Sequence, residues 1–170
     1  MNINEIITAN MNICRNIDSI EINERDRGFA SQNILAQLRN LVESVAVAIL
    51  ANNGQVVSSR NYQDIKDGLT NIQSQGRYKD LRKFHSFLQM SVSHYIVSED
   101  SSERLMLKYY EYLLKLKILV KKELNLDILE NIYNFPLDID PQLSEYYEKI
   151  ANRIDSFRGT VELGDRYYIH

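Results

Sequence analysis

The sequence predicts an all-α fold, a helical bundle of about six to seven helices. Three observations support this prediction. The 170 residues include only six Gly and two Pro, too few helix breakers for a strand-rich sandwich with its frequent turns. Apolar residues recur at helical spacing along most of the chain. They make up 44% of the composition, enough for the core of one domain of this size.

Seven helices are predicted from apolar spacing and from their end signals. They cover about residues 3–19, 26–51 (or 28–51), 62–72, 79–96, 102–124, 126–133 and 141–157. The second helix carries a wide apolar stripe from Ile34 to Leu50, which is typical of a central helix. It ends at Asn52-Asn53-Gly54, because Gly or Asn readily takes the left-handed conformation after a last turn.

The later helices are bounded by similar signals. Gln75-Gly76 is predicted to break the chain before the fourth helix. Ser101 or Ser102 is the predicted N-cap of the fifth, since a serine hydroxyl can accept from the first free N–H groups. Pro141 begins the last helix, because proline is favoured at the first helical position.

The C-terminal end is predicted to differ from the bundle. From residue 160 the sequence TVELGDRYYIH is rich in β-branched and aromatic residues, which predicts an extended segment or a hairpin. We therefore divide the chain into a helical bundle domain, residues 1–158, and an extended segment, residues 159–170. The abrupt end predicts the N-terminal part of a longer protein, whose next domain begins here. The alternative is a natural C-terminus that docks as an edge strand.

Composition limits the class of protein. The formal net charge of −3 gives no overall attraction to nucleic acid, membranes or acidic partners, although a local basic patch is compatible with it. The single cysteine, Cys14, excludes an internal disulfide and is predicted to be a small buried hydrophobe. The N-terminus lacks a signal-peptide pattern, and the longest apolar run, residues 45–51, is far below the roughly 20 residues of a bilayer span. The prediction is a cytoplasmic protein.

Motifs for metals, nucleotides and nucleophilic catalysis are missing from the sequence. The histidines are His85, His94 and His170. They form no His-Glu-x-x-His pattern and have no Cys pair, so no metal site is predicted. No Gly-rich phosphate loop is found, and no serine lies on a strand-to-helix elbow. We predict no cofactor.

A basic stretch, RYKDLRKFH at residues 77–85, is a candidate nucleic-acid-binding surface. Its cations are Arg77, Lys79, Arg82 and Lys83. Cations for phosphates and aromatics for stacking, here Tyr78 or Phe84, are what an RNA-binding surface requires. The alternative, which we favour, is an amphipathic helix with an inward apolar face and solvated cations. A second basic stretch comprises Lys115, Lys117, Lys121 and Lys122.

The long second helix contains the run LRNLVESVAVAIL, headed by Arg39 and Asn40. Arg39 and Glu43 are one turn apart and can form a surface ion pair, worth roughly a few tenths of a kcal/mol. A long helix entered by Arg-Asn, in an all-helical domain of this size, resembles the HEPN superfamily over about residues 28–120. The resemblance implies a helical bundle that often dimerises and is frequent in prokaryotic defence systems. It also implies, for active members, a metal-independent ribonuclease carrying Arg, four to six further residues, then His.

Only part of that ribonuclease motif is present. Arg39 and Asn40 match it, but positions 44–46 carry Ser, Val and Ala where the resemblance implies a histidine. The match therefore implies a degenerate member, without metal-independent ribonuclease activity, kept for dimerisation or for binding. The remaining catalytic candidates are Arg39, Asn40 and His85, and the fold would have to bring His85 or His94 close to Arg39.

Three functions are compatible with these patterns. The favoured one is a non-catalytic helical interaction or oligomerisation module at the N-terminus of a larger bacterial protein, of the defence type. Its partner would be a second copy or an attached effector domain, and no membrane partner is predicted. Eleven Tyr agree with this function, because aromatic residues are enriched at interfaces. The alternatives are an RNA-binding module that uses residues 77–85 and a divergent HEPN-type ribonuclease.

Overall fold

The fold is an all-α bundle throughout the part of the chain that the structure describes. This computed structural model describes residues 3–19, 32–55, 57, 61–72, 75–93, 102–130 and 144–163. These residues contain six helices and no strand, which confirms the predicted class. The helices are α1 (Ile3–Ser19), α2 (Gln32–Asn52), α3 (Tyr62–Asn71), α4 (Gln75–Ser93), α5 (Ser102–Leu124) and α6 (Ser144–Leu163). None of these six helices is long and apolar enough to cross a membrane.

The central helix of the bundle is α2, as its wide apolar stripe predicts. Leu38 and Ile49 are fully buried, and α2 packs against α1, α3, α4 and α5. The helix ends in a Schellman motif, in which the N–H of Gln55 donates to the carbonyl oxygen of Leu50 at 2.9 Å. Gly54 has a φ of 77°, the left-handed conformation that this motif needs. The predicted stop is therefore confirmed.

A glycine lets α3 pack closely against α2. A Cβ atom on Gly68 would lie 2.9 Å from Cδ1 of Leu50, whose side chain is fully buried. Glycine at position 68 makes the helix less stable by about 1 kcal/mol relative to Ala, but it allows the two helices to approach closely. At the start of α3 the side chain of Asn61 accepts a hydrogen bond from the N–H of Asp64 at 2.8 Å, which caps the helix.

The predicted extended segment at the C-terminal end is wrong for residues 159–163. Helix α6 continues through them to Leu163, so the boundary predicted after Arg158 lies inside a helix. Val161 is fully buried and lies one turn after the buried Phe157. This core face stabilises the helix despite the β-branched composition, because strand preference depends strongly on packing context. Residues 164–170 lie outside the described part of the chain.

Two other predicted boundaries are also wrong. Helix α4 begins at Gln75, so Gln75-Gly76 opens a helix and does not break the chain. The predicted helix over residues 126–133 does not form at 126–129, which are irregular. Residues 26–31, 94–96, 131–133 and 141–143 of the predicted helices lie outside the described part of the chain.

Contacts to other helices explain why residues 126–129 are not helical. Leu129 has a φ of 53°, a left-handed conformation that is uncommon outside glycine. Its N–H donates to Asn10 Oδ1 at 2.7 Å, and its carbonyl oxygen accepts from Lys117 Nζ at 3.0 Å. Its side chain is fully buried. Groups on α1 and α5 thus satisfy the backbone of Leu129 in place of a helical turn.

Replacing Asn10 with Ala should lower the free energy of unfolding by about 1–3 kcal/mol, because the buried N–H of Leu129 loses its acceptor. Denaturant unfolding followed by circular dichroism measures the difference. Asn12→Ala is the matched control, since Asn12 lies exposed on the same helix, and it should change stability by no more than about 0.5 kcal/mol. Equal losses in the two variants would show that Leu129 does not depend on Asn10.

Candidate functional site

Two of the three catalytic candidates, Arg39 and His85, meet at the carboxylate of Glu43. Arg39 Nε lies 3.6 Å from Glu43 Oε1, and His85 Nε2 lies 3.5 Å from the same oxygen. Arg39 Nη1 also donates to Gln89 Oε1 at 3.4 Å. The i, i+4 spacing on α2 aligns Arg39 with Glu43, and α4 packs His85 and Gln89 against that face. The predicted Arg39–Glu43 pair is confirmed, whereas the side chain of Asn40 is exposed.

The ring of His85 is closed off from solvent. It is 0% exposed, and neither ring nitrogen has a hydrogen-bond partner within the described structure. The ring of Tyr62 lies against it, with centroids 5.0 Å apart. A general acid or base must come within about 2.6–3.2 Å of the proton it transfers, or act through one water. A fully buried ring does not meet that requirement, so this geometry is that of a core histidine.

Replacing His85 with Phe should leave the free energy of unfolding unchanged or raise it by about 1 kcal/mol, because two unsatisfied buried nitrogens are removed. His85→Ala is the control for lost volume and should cost about 2–5 kcal/mol. Thermal and denaturant unfolding near neutral pH measure both variants. A clear loss of stability in His85→Phe would show that the imidazole makes a favourable polar interaction with Glu43.

A buried ion-pair network lies against another face of α4. Lys115 Nζ donates to Asp80 Oδ1 and to Glu111 Oε2, both at 2.9 Å. Arg153 Nη2 donates to Glu111 Oε1 at 2.6 Å. The side chains of Lys115 and Glu111 are 8% and 10% exposed. Two cations therefore balance two carboxylates, and the network joins α4, α5 and α6.

The network stabilises the charged forms of its members. Burial alone would raise the pKa of Glu111, but hydrogen bonds from Arg153 and Lys115 outweigh it and lower that pKa. Burial would likewise lower the pKa of Lys115, but the hydrogen bonds to Asp80 and Glu111 outweigh it and raise that pKa. The contribution of Lys115 is therefore complete below the ordinary lysine pKa and is lost only as pH rises through the raised value.

Because the pKa of Glu111 is lowered in the folded state, the stability that its charge contributes should depend on pH in the acid range. Its stabilisation is complete above the ordinary glutamate pKa of about 4.3 and is lost as pH falls through the lowered value in the folded state. Glu111→Gln should therefore have a lower Tm than the natural chain at pH 7, and the difference should shrink as the pH falls toward 3. Thermal unfolding across this range measures it.

Glu145→Gln is the control for this pH series, because Glu145 pairs with Lys149 on the surface and should differ little from the natural chain. A Tm difference for Glu111→Gln that stays constant from pH 7 to pH 3 would contradict the assignment of the acid dependence to Glu111.

The basic stretch 77–85 forms the N-terminal half of α4. Arg77 lies in the first turn of this helix, and Lys79 and Lys83 are exposed. Arg82 is half-buried and donates to Thr70 Oγ1 at 3.3 Å. The structure therefore presents at least two of the four predicted nucleic-acid-binding cations to solvent.

The stacking role predicted for Tyr78 or Phe84 is wrong. Their exposed fractions are 5% and 1%. The hydroxyl of Tyr78 donates to Glu123 Oε1 at 3.1 Å, and the ring of Phe84 stacks on Tyr112 with centroids 4.8 Å apart. Both aromatic rings belong to the core, because apolar spacing on α4 turns them toward α5.

Sequence reasoning missed an aromatic ring close to the exposed cations. Phe87 is half-buried and Lys108 is exposed, and Lys108 Nζ lies 5.0 Å from the centroid of the Phe87 ring. The i, i+4 spacing from Lys83 to Phe87 could have predicted that these two side chains share one face of α4. No spacing within α4 could have predicted Lys108, because it belongs to the next helix along the chain.

The second basic stretch does not form one surface. Lys115 is buried in the ion-pair network, and Lys117 donates to the carbonyl oxygen of Leu129. A groove of about 560 Å³ runs between α5 and α6. Its charged lining residues are Lys117, Lys121, Lys122, Asp127, Arg158 and Glu162. Four of these residues are cations and two are acids, and Lys121 is paired with Asp127 at 3.4 Å.

Among the described residues, no group of three His, Cys, Asp or Glu side chains is placed to hold a metal ion. Cys14 is half-buried, less than the sequence predicts, and its Sγ lies 3.5 Å from Asn10 Oδ1. His94 and His170 lie outside the described part of the chain.

Comparisons with known proteins gave no match. No protein-family model matches the sequence, and neither does any curated protein or solved structure. The resemblance to the HEPN superfamily, which rests on helix pattern and the Arg39-Asn40 dipeptide, therefore stays a prediction. Function has to be argued from the geometry of particular residues, because a helical bundle alone does not specify one.

Proposed function

We propose that this domain is a non-catalytic helical module that associates with a second copy of itself through the outer face of α1. The observation that supports this best is an exposed apolar pair on that helix. Ile7 and Met11 are 43% and 52% exposed, although α1 already buries Ile6 and Ile13 on its inner face. Apolar side chains four residues apart lie on one face, so α1 has a second apolar face available for another helix.

We expect the two copies of α1 to pack antiparallel. In a dimer with a twofold axis, each copy presents the same patch to the other. Antiparallel packing brings Ile7 of one copy to Met11 of the other.

The burial of His85 supports the non-catalytic part of the proposal. A ribonuclease site needs a cation and a proton-transfer group that reach the same phosphate. Arg39 is engaged by Glu43 and Gln89, and His85 behind Glu43 is fully buried. The described residues bring no accessible histidine to Arg39.

The expected dimer is weak. Stable interfaces bury about 1,200–2,000 Å², whereas one antiparallel pair of 17-residue helices with two large exposed apolar side chains per copy provides less. Association should therefore depend on concentration within the micromolar range or above it.

Met11→Lys should abolish concentration-dependent association, because it places a charge at the centre of the apolar contact. Sedimentation velocity over a wide concentration range measures the weight-average mass. Asn12→Lys is the matched control, since it adds the same charge to an exposed position of the same helix, about 100° away around the axis. A natural chain that stays monomeric at every concentration, or equal effects of the two variants, would contradict self-association through this face.

A further inference from the structure

Helix α4 has a single acidic residue, Asp80, and its carboxylate is bound by a lysine of the next helix. Over Gln75–Ser93 the sequence contains Asp80 as the only carboxylate against four Arg and Lys residues. Asp80 is bound by Lys115 Nζ at 2.9 Å, and its side chain is 19% exposed. Lys115 is itself buried among carboxylates from two helices. The charge of Asp80 is therefore balanced from inside, and α4 supplies no acid to its own exposed cations.

Those cations form a row that continues to an aromatic ring. Lys79 and Lys83 are exposed and lie about one helical turn, roughly 5.4 Å, apart. One turn further along is Phe87, with Lys108 Nζ of α5 over its ring at 5.0 Å. Arg82 lies at the edge of this row, where it contacts α3 through Thr70.

We infer that this surface, made of Lys79, Lys83, Phe87 and Lys108, binds single-stranded RNA. Ammonium groups spaced along a helix can pair with successive phosphates, and an aromatic ring beside them can stack on an unpaired base. A single strand suits this surface because its bases are free to reach the Phe87 ring. A base that stacks on this ring takes the place of Lys108 Nζ, which lies 5.0 Å from the ring centroid, while Tyr112 packs against the same ring with centroids 5.7 Å apart.

A membrane surface fits these residues less well. A helix that lies on a bilayer inserts an apolar face between lipids, but the apolar face of α4 is buried in the bundle through Leu81, Phe84 and Leu88. Met90 is the one large apolar side chain of α4 that is exposed among the described residues. The proposed RNA-binding surface lies on α4 and α5, so RNA binding can be tested independently of self-association through α1.

The test is fluorescence anisotropy of a labelled oligouridine strand titrated with the full chain at several salt concentrations. The double variant Lys79→Glu, Lys83→Glu should weaken binding by about tenfold or more at low salt. It should also reduce the slope of log K against log salt by about 1.4, because each lost phosphate contact on a single strand removes about 0.7. Circular dichroism confirms that the variant is folded.

The charge-matched control is Lys149→Glu, Arg158→Glu, which reverses two exposed cations of α6. It changes the net charge equally and should retain affinity within about threefold at 0.1 M salt, where screening limits the reach of a charge outside the proposed surface to about 10 Å. Phe87→Leu keeps the packing apolar but removes the stacking surface. It should lower affinity by about fivefold or more without changing the salt slope.

Equal weakening in the two charge-reversed variants would overturn the site, and so would the absence of binding by the natural chain at low salt. Binding to phosphatidylglycerol vesicles that needs Lys79 and Lys83, with no binding to the strand, would assign the surface to a membrane instead. The strand is recovered on a gel after each titration and should be intact. Cleavage that disappears in Arg39→Ala would overturn the non-catalytic proposal while leaving the binding site to be judged by anisotropy.

Discussion

The buried ammonium of Lys115 connects the last three helices and also determines the charge of the α4 surface. It binds Asp80 of α4 and Glu111 of α5, and Glu111 in turn binds Arg153 of α6. Loss of the Lys115 ammonium would remove the cation that binds Asp80 and would leave Glu111 with Arg153. Because Lys115 binds Asp80, the only carboxylate of α4 is engaged inside the bundle, and α4 supplies no other acid to Lys79 and Lys83.

His85, in contrast to Lys115, is a buried polar residue without a hydrogen-bond partner in the described structure. Arg39, Glu43 and Gln89 form a polar layer at the junction of α2 and α4, and the imidazole lies beneath it without a hydrogen bond to either nitrogen. Of the two residues that carry the resemblance to a ribonuclease, Arg39 belongs to this polar layer and Asn40 is exposed. The layer joins two helices through the carboxylate of Glu43.

The outer faces of α1 and α4 differ in character. The outer face of α1 is apolar at Ile7 and Met11, which suits another helix. The outward face of α4 is cationic and includes a half-buried aromatic ring, which suits a flexible polyanion. Both helices pack on α2, so one central helix supports both faces.

Local spacing in the sequence was enough to predict the helical class, the central role of α2, its stop at Gly54 and the Arg39–Glu43 pair, because these depend on residues within a few turns of one another. It was not enough at Leu129, where Asn10 and Lys117 hold a left-handed backbone, or at residues 159–163, where Val161 extends a buried helical face. Nor could it show that Asp80 is neutralised by Lys115, 35 residues later, or that Tyr78 and Phe84 are buried while Phe87 lies beside Lys108. Each of these depends on which helices pack together, and periodicity within one helix carries no information about its neighbours.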